Sequence, residues 1–180
     1  MKQRGPSKIR TLSQARDFVL ARGICLIFAS KHGLPSLWEV TDLSDKRPAR
    51  GWSPRVVAIW RWKNELPAKF PDDIFYGKLP GGLAMLMSMD HLRREHYPQH
   101  HKELVRCSVH ARRAYELIRR EPRTTAQLRE ALLNPGIITR AQIDRAITEL
   151  QTTLNITRTN APEVETDTWL RFTEQYPEFS

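Results

Sequence analysis

Cysteine is scarce in this chain: Cys25 and Cys107 are the only two in 180 residues. So few argue against a disulfide scaffold and fit a reducing compartment, so the expected location is the cytoplasm, the nucleoid included. No apolar run approaches the roughly 18 residues that a membrane helix needs, so no membrane partner is expected. Met1-Lys2-Gln3-Arg4-Gly5-Pro6 has no apolar stretch behind it, which argues against a signal peptide. Cys-x-x-Cys pairs are missing too. The run Gly77-Lys78-Leu79-Pro80-Gly81-Gly82 lacks the Gly-Lys-Ser/Thr ending of a phosphate loop, and Pro80 removes an amide donor. Carboxylates are the remaining shortage, 20 against 29 Lys and Arg, for a net charge of +9.

That excess favours polyanionic partners, nucleic acid first. Arginine supplies 21 of the 29 cations, and its planar fork suits phosphate and guanine. The charge is uneven along the chain. Residues 1–90 hold 15 basic and 8 acidic side chains, residues 91–145 hold 12 and 6, and residues 146–180 hold 2 and 6. The basic excess therefore stops short of the C-terminal segment.

Apolar residues make up 40% of the chain, enough for a real core. Residues 1–10 read as a flexible basic arm. Thr11-x-x-Gln14 is a capping box that starts a helix with Ala15, Phe18 and Val19 on one face, and Gly23 is placed to end it. Ile24 to Phe28 reads as a buried strand, with a helical piece as the alternative, and Ser36 to Val40 as a short helix. Ser53-Pro54 starts another helix after the polar connector 44–55. It carries Val56, Val57 and Trp60 on one side. Phe75 to Lys78 and Leu83 to Met89 follow as a strand end and an apolar buried element. The His- and Arg-rich stretch 90–102 marks the boundary between an N-terminal unit, 11–90, and a C-terminal unit, 103–175.

The second half is the more legible. Ser108 caps a helix to about Glu121, with Ala114, Leu117 and Ile118 inward. Thr124-x-x-Gln127 and Thr139-x-x-Gln142 are capping boxes for two more helices, the last with Ile143, Ala146, Ile147 and Leu150 at helical spacing. Leu154 to Thr159 and Thr168 to Phe172 alternate like strands around a polar loop. Three helices and a hairpin are the order of a winged helix-turn-helix, although other small α+β modules share it.

The pattern VHARRAYELI…TTAQLREAL…ITRAQIDRAITELQTTLNITRT…TWLRF resembles the winged-helix segment of the AlkZ-like DNA glycosylase superfamily. With RGICLIFASKHGLPSLWEV and WRWKNELP…FYGKL upstream, the chain is similar to shorter bacterial AlkZ-related proteins over residues 11 to 172. The resemblance implies an α+β, mostly helical fold of tandem winged-helix-like units, DNA binding and a link to DNA repair. The glycosylases place their attacking water with a Gln-x-Gln or Gln-x-Asp motif. The corresponding stretch here, Gly23 to Val40, has neither Gln nor Asp, and its only carboxylate is Glu39. A non-catalytic DNA-binding protein is therefore expected, with no cofactor. The alternatives are a divergent glycosylase using Glu39 on alkylated or crosslinked bases, and an adaptor that binds another protein through its acidic C-terminal segment.

On the DNA-binding reading, the partner is the DNA duplex. The outer face of the helix after Thr139 carries Arg140, Gln142, Arg145, Thr148, Glu149 and Thr152. Arg145 is suited to guanine or phosphate and Gln142 to a base edge. Glu149 opposes phosphate, and the bland reading is an ordinary solvated face. Arg158 in the first hairpin strand is a phosphate candidate, while Glu163, Glu165 and Asp167 in the loop would repel one. Arg112, Arg113, Arg119 and Arg120 form either a phosphate stripe or, through Arg112–Glu116–Arg120, ordinary ion pairs. Trp52, Trp60, Trp62 and Tyr76 interleave with Arg55, Arg61, Lys63 and Lys78, a composition that can stack bases. Trp60 is expected in the core, and Trp62 fits either role. His91, His96, His100, His101, Cys107 and His110 fall within 20 residues, but Pro98 breaks the spacing, and a basic or buried histidine group is expected rather than a metal site.

Overall fold

The computed structural model describes residues 8–29, 33–134, 136–161 and 166–180. Among these residues the protein is mixed helix and sheet, 52% helical, with two small antiparallel sheets. It divides into two compact units, one of residues up to Tyr76 with Leu83–Arg93, the other of Gly77–Gly82 with Arg94–Ser180.

The first unit runs α1 (Leu12–Arg22), β1 (Ile24–Leu26), α2 (Leu37–Val40), α3 (Pro54–Lys69), β2 (Ile74–Lys78) and β3 (Ala84–Ser88). The Thr11–Gln14 capping box satisfies the first amides of α1, and Gly23, at φ 74°, takes the left-handed conformation that ends it. Its sheet has the order β1-β3-β2, with Cys25 opposite Leu86. Ala15, Val19, Leu37, Ile59, Trp62, Leu66 and Ile74 fill the core. Of the expected N-terminal arm, residues 1–7 lie outside the described residues. Residues 8–10 are fastened to the body: Ile9 is buried and bridges Thr41, and Arg10 clasps Asp42 at 2.6 Å.

One expectation is overturned in α3. Trp60 is not in the core but 54% exposed, while Trp62 is fully buried. The helix carries two apolar stripes, Val56-Val57-Trp60 and Ala58-Ile59-Trp62-Leu66, each at i, i+1, i+4 spacing. They lie two residues, or about 200°, apart on a 3.6-residue helix, so only one can face the sheet. The second reaches Leu66 a further turn on, and it is the stripe that packs.

The second unit runs α4 (Val109–Arg120), β4 (Arg123–Thr124), α5 (Thr125–Leu132), α6 (Arg140–Thr152), β5 (Ile156–Arg158), β6 (Thr168–Arg171) and α7 (Phe172–Gln175). Both of its capping boxes, Thr124 with Gln127 and Thr139 with Gln142, are formed. Its sheet order is β4-β6-β5, with Arg123 opposite Trp169 and Thr157 opposite Leu170. Ala111, Ala114, Ile118, Leu128, Ile143, Ile147 and Leu150 make its core. After β6 the chain turns back, and Phe172, Tyr176 and Phe179 gather against Tyr97, with Tyr97 and Phe179 ring centroids 4.5 Å apart. From Leu12 to Ser88, and again from Val109 to Arg171, the elements follow one order: helix, strand, helix, helix, strand, strand, with the first strand pairing to the last.

Candidate nucleic-acid interface

Helix α6 owes its orientation to its inner stripe. Ile143, Ala146, Ile147, Leu150 and Gln151 are buried, which leaves Arg140 and Arg145 exposed and Gln142, Thr148, Glu149 and Thr152 half-buried. The capping box that begins the helix also engages one expected reader. Gln142 Oε1 accepts from Thr139 N at 2.8 Å and from Thr139 Oγ1 at 2.9 Å, so its amide nitrogen is the part left for a ligand. Thr152 Oγ1 donates to Glu149 O at 3.1 Å. Arg145 Nε donates to Ala141 O at 3.3 Å, which lays the guanidinium along its own helix.

Both carboxylates of α6 are occupied. Glu149 accepts from Ser108 N at 2.8 Å and from Ser108 Oγ at 2.6 Å, at the start of α4. Asp144 takes a two-pronged ion pair from Arg129 of α5, both contacts 2.8 Å. A shallow groove of about 320 Å³ runs between the two helices, lined by Ser108, His110, Gln142, Arg145, Ala146 and Glu149. His110 Nδ1 is buried there without a hydrogen-bond partner among the described residues. Sequence reasoning missed Ser108 and His110 as neighbours of Arg145, because only the α4–α6 packing brings them together.

The other candidates fall elsewhere. Arg158 is 8% exposed and meets Asp167 at 3.3 Å, so its guanidinium faces a carboxylate inside the hairpin rather than open surface. Glu163 and Glu165 lie outside the described residues. On α4, Glu116 pairs with Arg119 at 2.8 Å rather than bridging Arg112 and Arg120, since an i,i+3 partner lies as close on a helix as an i,i+4 one. Arg112, Arg113 and Arg120 stay exposed.

Arg61 and Lys63 sit on α3 of the first unit. Arg61 is exposed, 3.6 Å from Glu65, whereas Lys63 is buried with Nζ 4.3 Å above the Trp60 ring and 5.0 Å from that of Tyr76. Glu39 is exposed, and its Oε2 accepts from Ser36 Oγ at 2.7 Å in the first turn of α2. Burial raises the Cys107 thiol pKa, and its Sγ contacts Thr153 rather than a histidine. Among the described residues no group of three or more His, Cys, Asp or Glu side chains is placed to hold a metal ion. No described helix is long and apolar enough to cross a membrane.

Among the described residues the structure is one of two small mixed helix-and-sheet units, the second with an Arg-bearing helix face. The AlkZ-related family model matches residues 9–168, and the chain belongs to that family. No curated protein and no solved structure matches it.

Proposed function

We propose that this chain is a non-catalytic DNA-binding protein of tandem winged-helix-like units, linked by its family to DNA repair. In this reading the second unit lays α6 in the major groove of duplex DNA. The order helix, short strand, two helices and hairpin, with β4 paired to β6, suits a winged helix-turn-helix. The observation that carries the reading is electrostatic. Arg140 and Arg145 stand exposed on α6, while Glu149 and Asp144, the carboxylates of the same helix, are tied to Ser108 and Arg129. Asp144 is thus balanced by Arg129, and on the outer face two cations stand against the one charge of Glu149, an excess that suits a polyanion.

Arg145 takes a guanine edge or a phosphate, Arg140 a phosphate, and the Gln142 amide a base edge, with Thr148 and Thr152 at the margin. The absence of catalysis rests on the stretch Gly23 to Val40, which has no Gln or Asp to place a water, and on Glu39, which is exposed and bonded to Ser36. Duplex binding followed as a function of salt tests the reading. Wild type is expected to lose affinity linearly in log–log form as salt rises, and Arg145→Ala to flatten that slope by about one ion. No binding at low ionic strength overturns it.

A further inference from the structure

Leu12 to Ser88 follows the element order of Val109 to Arg171, so α3 stands in the chain where α6 does. Its outer face is chemically different. Phe28, Trp52, Val56, Val57, Trp60 and Arg61 line a groove of about 640 Å³, and Trp52 is 67% exposed. Several large apolar side chains left in water side by side are unusual on a soluble surface and mark a contact site. The groove differs from a duplex-reading face in what it offers. Reading base edges takes polar side chains, and apart from the indoles and Arg61 this lining has none.

Stacking needs only ring faces, with cations near enough for phosphates. Both are present. Residues 44–63 hold six cations (Lys46, Arg47, Arg50, Arg55, Arg61 and Lys63) against one carboxylate, Asp45, which accepts from Ser53 Oγ at 3.1 Å. The Arg47 guanidinium lies 5.6 Å from the Trp52 ring centroid, and Lys63 Nζ 4.3 Å from that of Trp60, which steadies both indoles. We propose that this groove binds unpaired DNA, with bases stacked on Trp60 and Trp52 and phosphates along Arg47, Arg50 and Arg61. The choice of DNA over RNA rests on the preceding reading, since the Arg61 guanidinium and the indole N–H groups of the lining could serve either sugar. The proposal shares with the preceding reading only that the polyanion is DNA; its residues and its strand state are different.

The test uses the full chain and fluorescence anisotropy with labelled oligothymidylate, a blunt duplex and oligouridylate. Trp52→Ala and Trp60→Ala are each expected to weaken oligothymidylate binding about tenfold and leave the duplex unchanged. Trp60→Phe should stay within about threefold, because it keeps a stacking ring. Arg145→Ala should do the reverse, weakening the duplex alone, so failure of one site is separable from failure of the other. Both tryptophans are exposed, and an unchanged thermal melt shows that the variants are folded. Oligothymidylate affinity that is absent, or unmoved in the double Trp52→Ala, Trp60→Ala variant, overturns the proposal. So does tighter binding of oligouridylate than of oligothymidylate. Self-association lost in the double variant, with oligonucleotide affinity intact, would make the groove an interface between copies instead.

Discussion

Glu149 of α6 closes the N-terminus of α4: its two carboxylate oxygens accept from the amide and the hydroxyl of Ser108, at 2.8 and 2.6 Å. Ser108 itself caps α4 by accepting from Ala111 N at 3.2 Å. A negative charge at a helix N-terminus is favourable, and charge-assisted bonds are the stronger kind. One hydrogen-bonded pair of residues thus staples two core helices and gives the Glu149 carboxylate its partners on α4.

Glu149→Gln is expected to lower the stability of the protein by about 1–2 kcal/mol in urea unfolding, from the cap and the charge lost. Duplex affinity should stay within about twofold, because the carboxylate already points at α4. A gain of tenfold or more would show that Glu149 repels DNA from an outward position, contrary to its contacts with Ser108.

The two apolar stripes of α3 give a second prediction. Trp62 is fully buried in the first unit's core, so Trp62→Ala is expected to cost about 3–5 kcal/mol. Trp60→Ala loses an exposed ring and a cation contact, and should cost about 1 kcal/mol or less. Parallel denaturation curves check this; equal costs would mean that the phase of α3 is different.

These two tryptophans also show how far the sequence could be read. The capping boxes at Thr11, Thr124 and Thr139 and the Ser53-Pro54 start place helices from local chemistry alone, and all four helices form. Local pattern cannot choose between two stripes of equal spacing, since that choice depends on the sheet the helix packs on. Nor could it find β4, two residues long, which exists only because Arg123 and Thr124 pair with β6. The Ser108–Glu149 link spans 41 residues and leaves no trace in spacing. The Arg145 face was legible as a pattern, but the partners of the two carboxylates on its helix were not, since Ser108 and Arg129 come from other helices.

A third prediction concerns the chain start. Arg10 donates to Asp42 Oδ2 from Nη2 at 2.6 Å and from Nε at 3.1 Å, while Ile9 N and O bond Val40 O and Asp42 N, each 2.9 Å. The hydrogen bonds from Arg10 hold the Asp42 carboxyl below its ordinary pKa. A lowered carboxylate pKa gives a stabilisation that is present above the unfolded value and fades as pH falls through the folded one. Asp42→Asn should therefore speed amide exchange at Ile9 and Asp42 near neutral pH, and the difference from wild type should shrink on acidification below the usual carboxylate range. A pH-independent difference would assign the effect to the backbone bridge rather than to the charge.

The fourth lies in the C-terminal aromatic cluster. Burial pushes the Tyr176 phenol up to about 12, and the hydrogen bond from Asn160 Nδ2, at 3.2 Å, offsets this only in part. An acid whose pKa is raised by folding stabilises the fold fully below the unfolded value, near 10, and loses that contribution as pH rises towards the folded one. Between about pH 10 and 12 the protein should therefore lose stability progressively, as the unfolded chain alone ionises this phenol. Of the four tyrosines, Tyr176 is expected to give a late phase near pH 12 in an ultraviolet titration. Tyr176→Phe should abolish that phase and flatten the alkaline loss of stability, at the expense of about 1 kcal/mol near neutral pH for the lost bond to Asn160. A late phase that survives in Tyr176→Phe assigns it to Tyr97 instead, whose phenol burial also raises while its hydroxyl donates to Phe179 O at 3.3 Å.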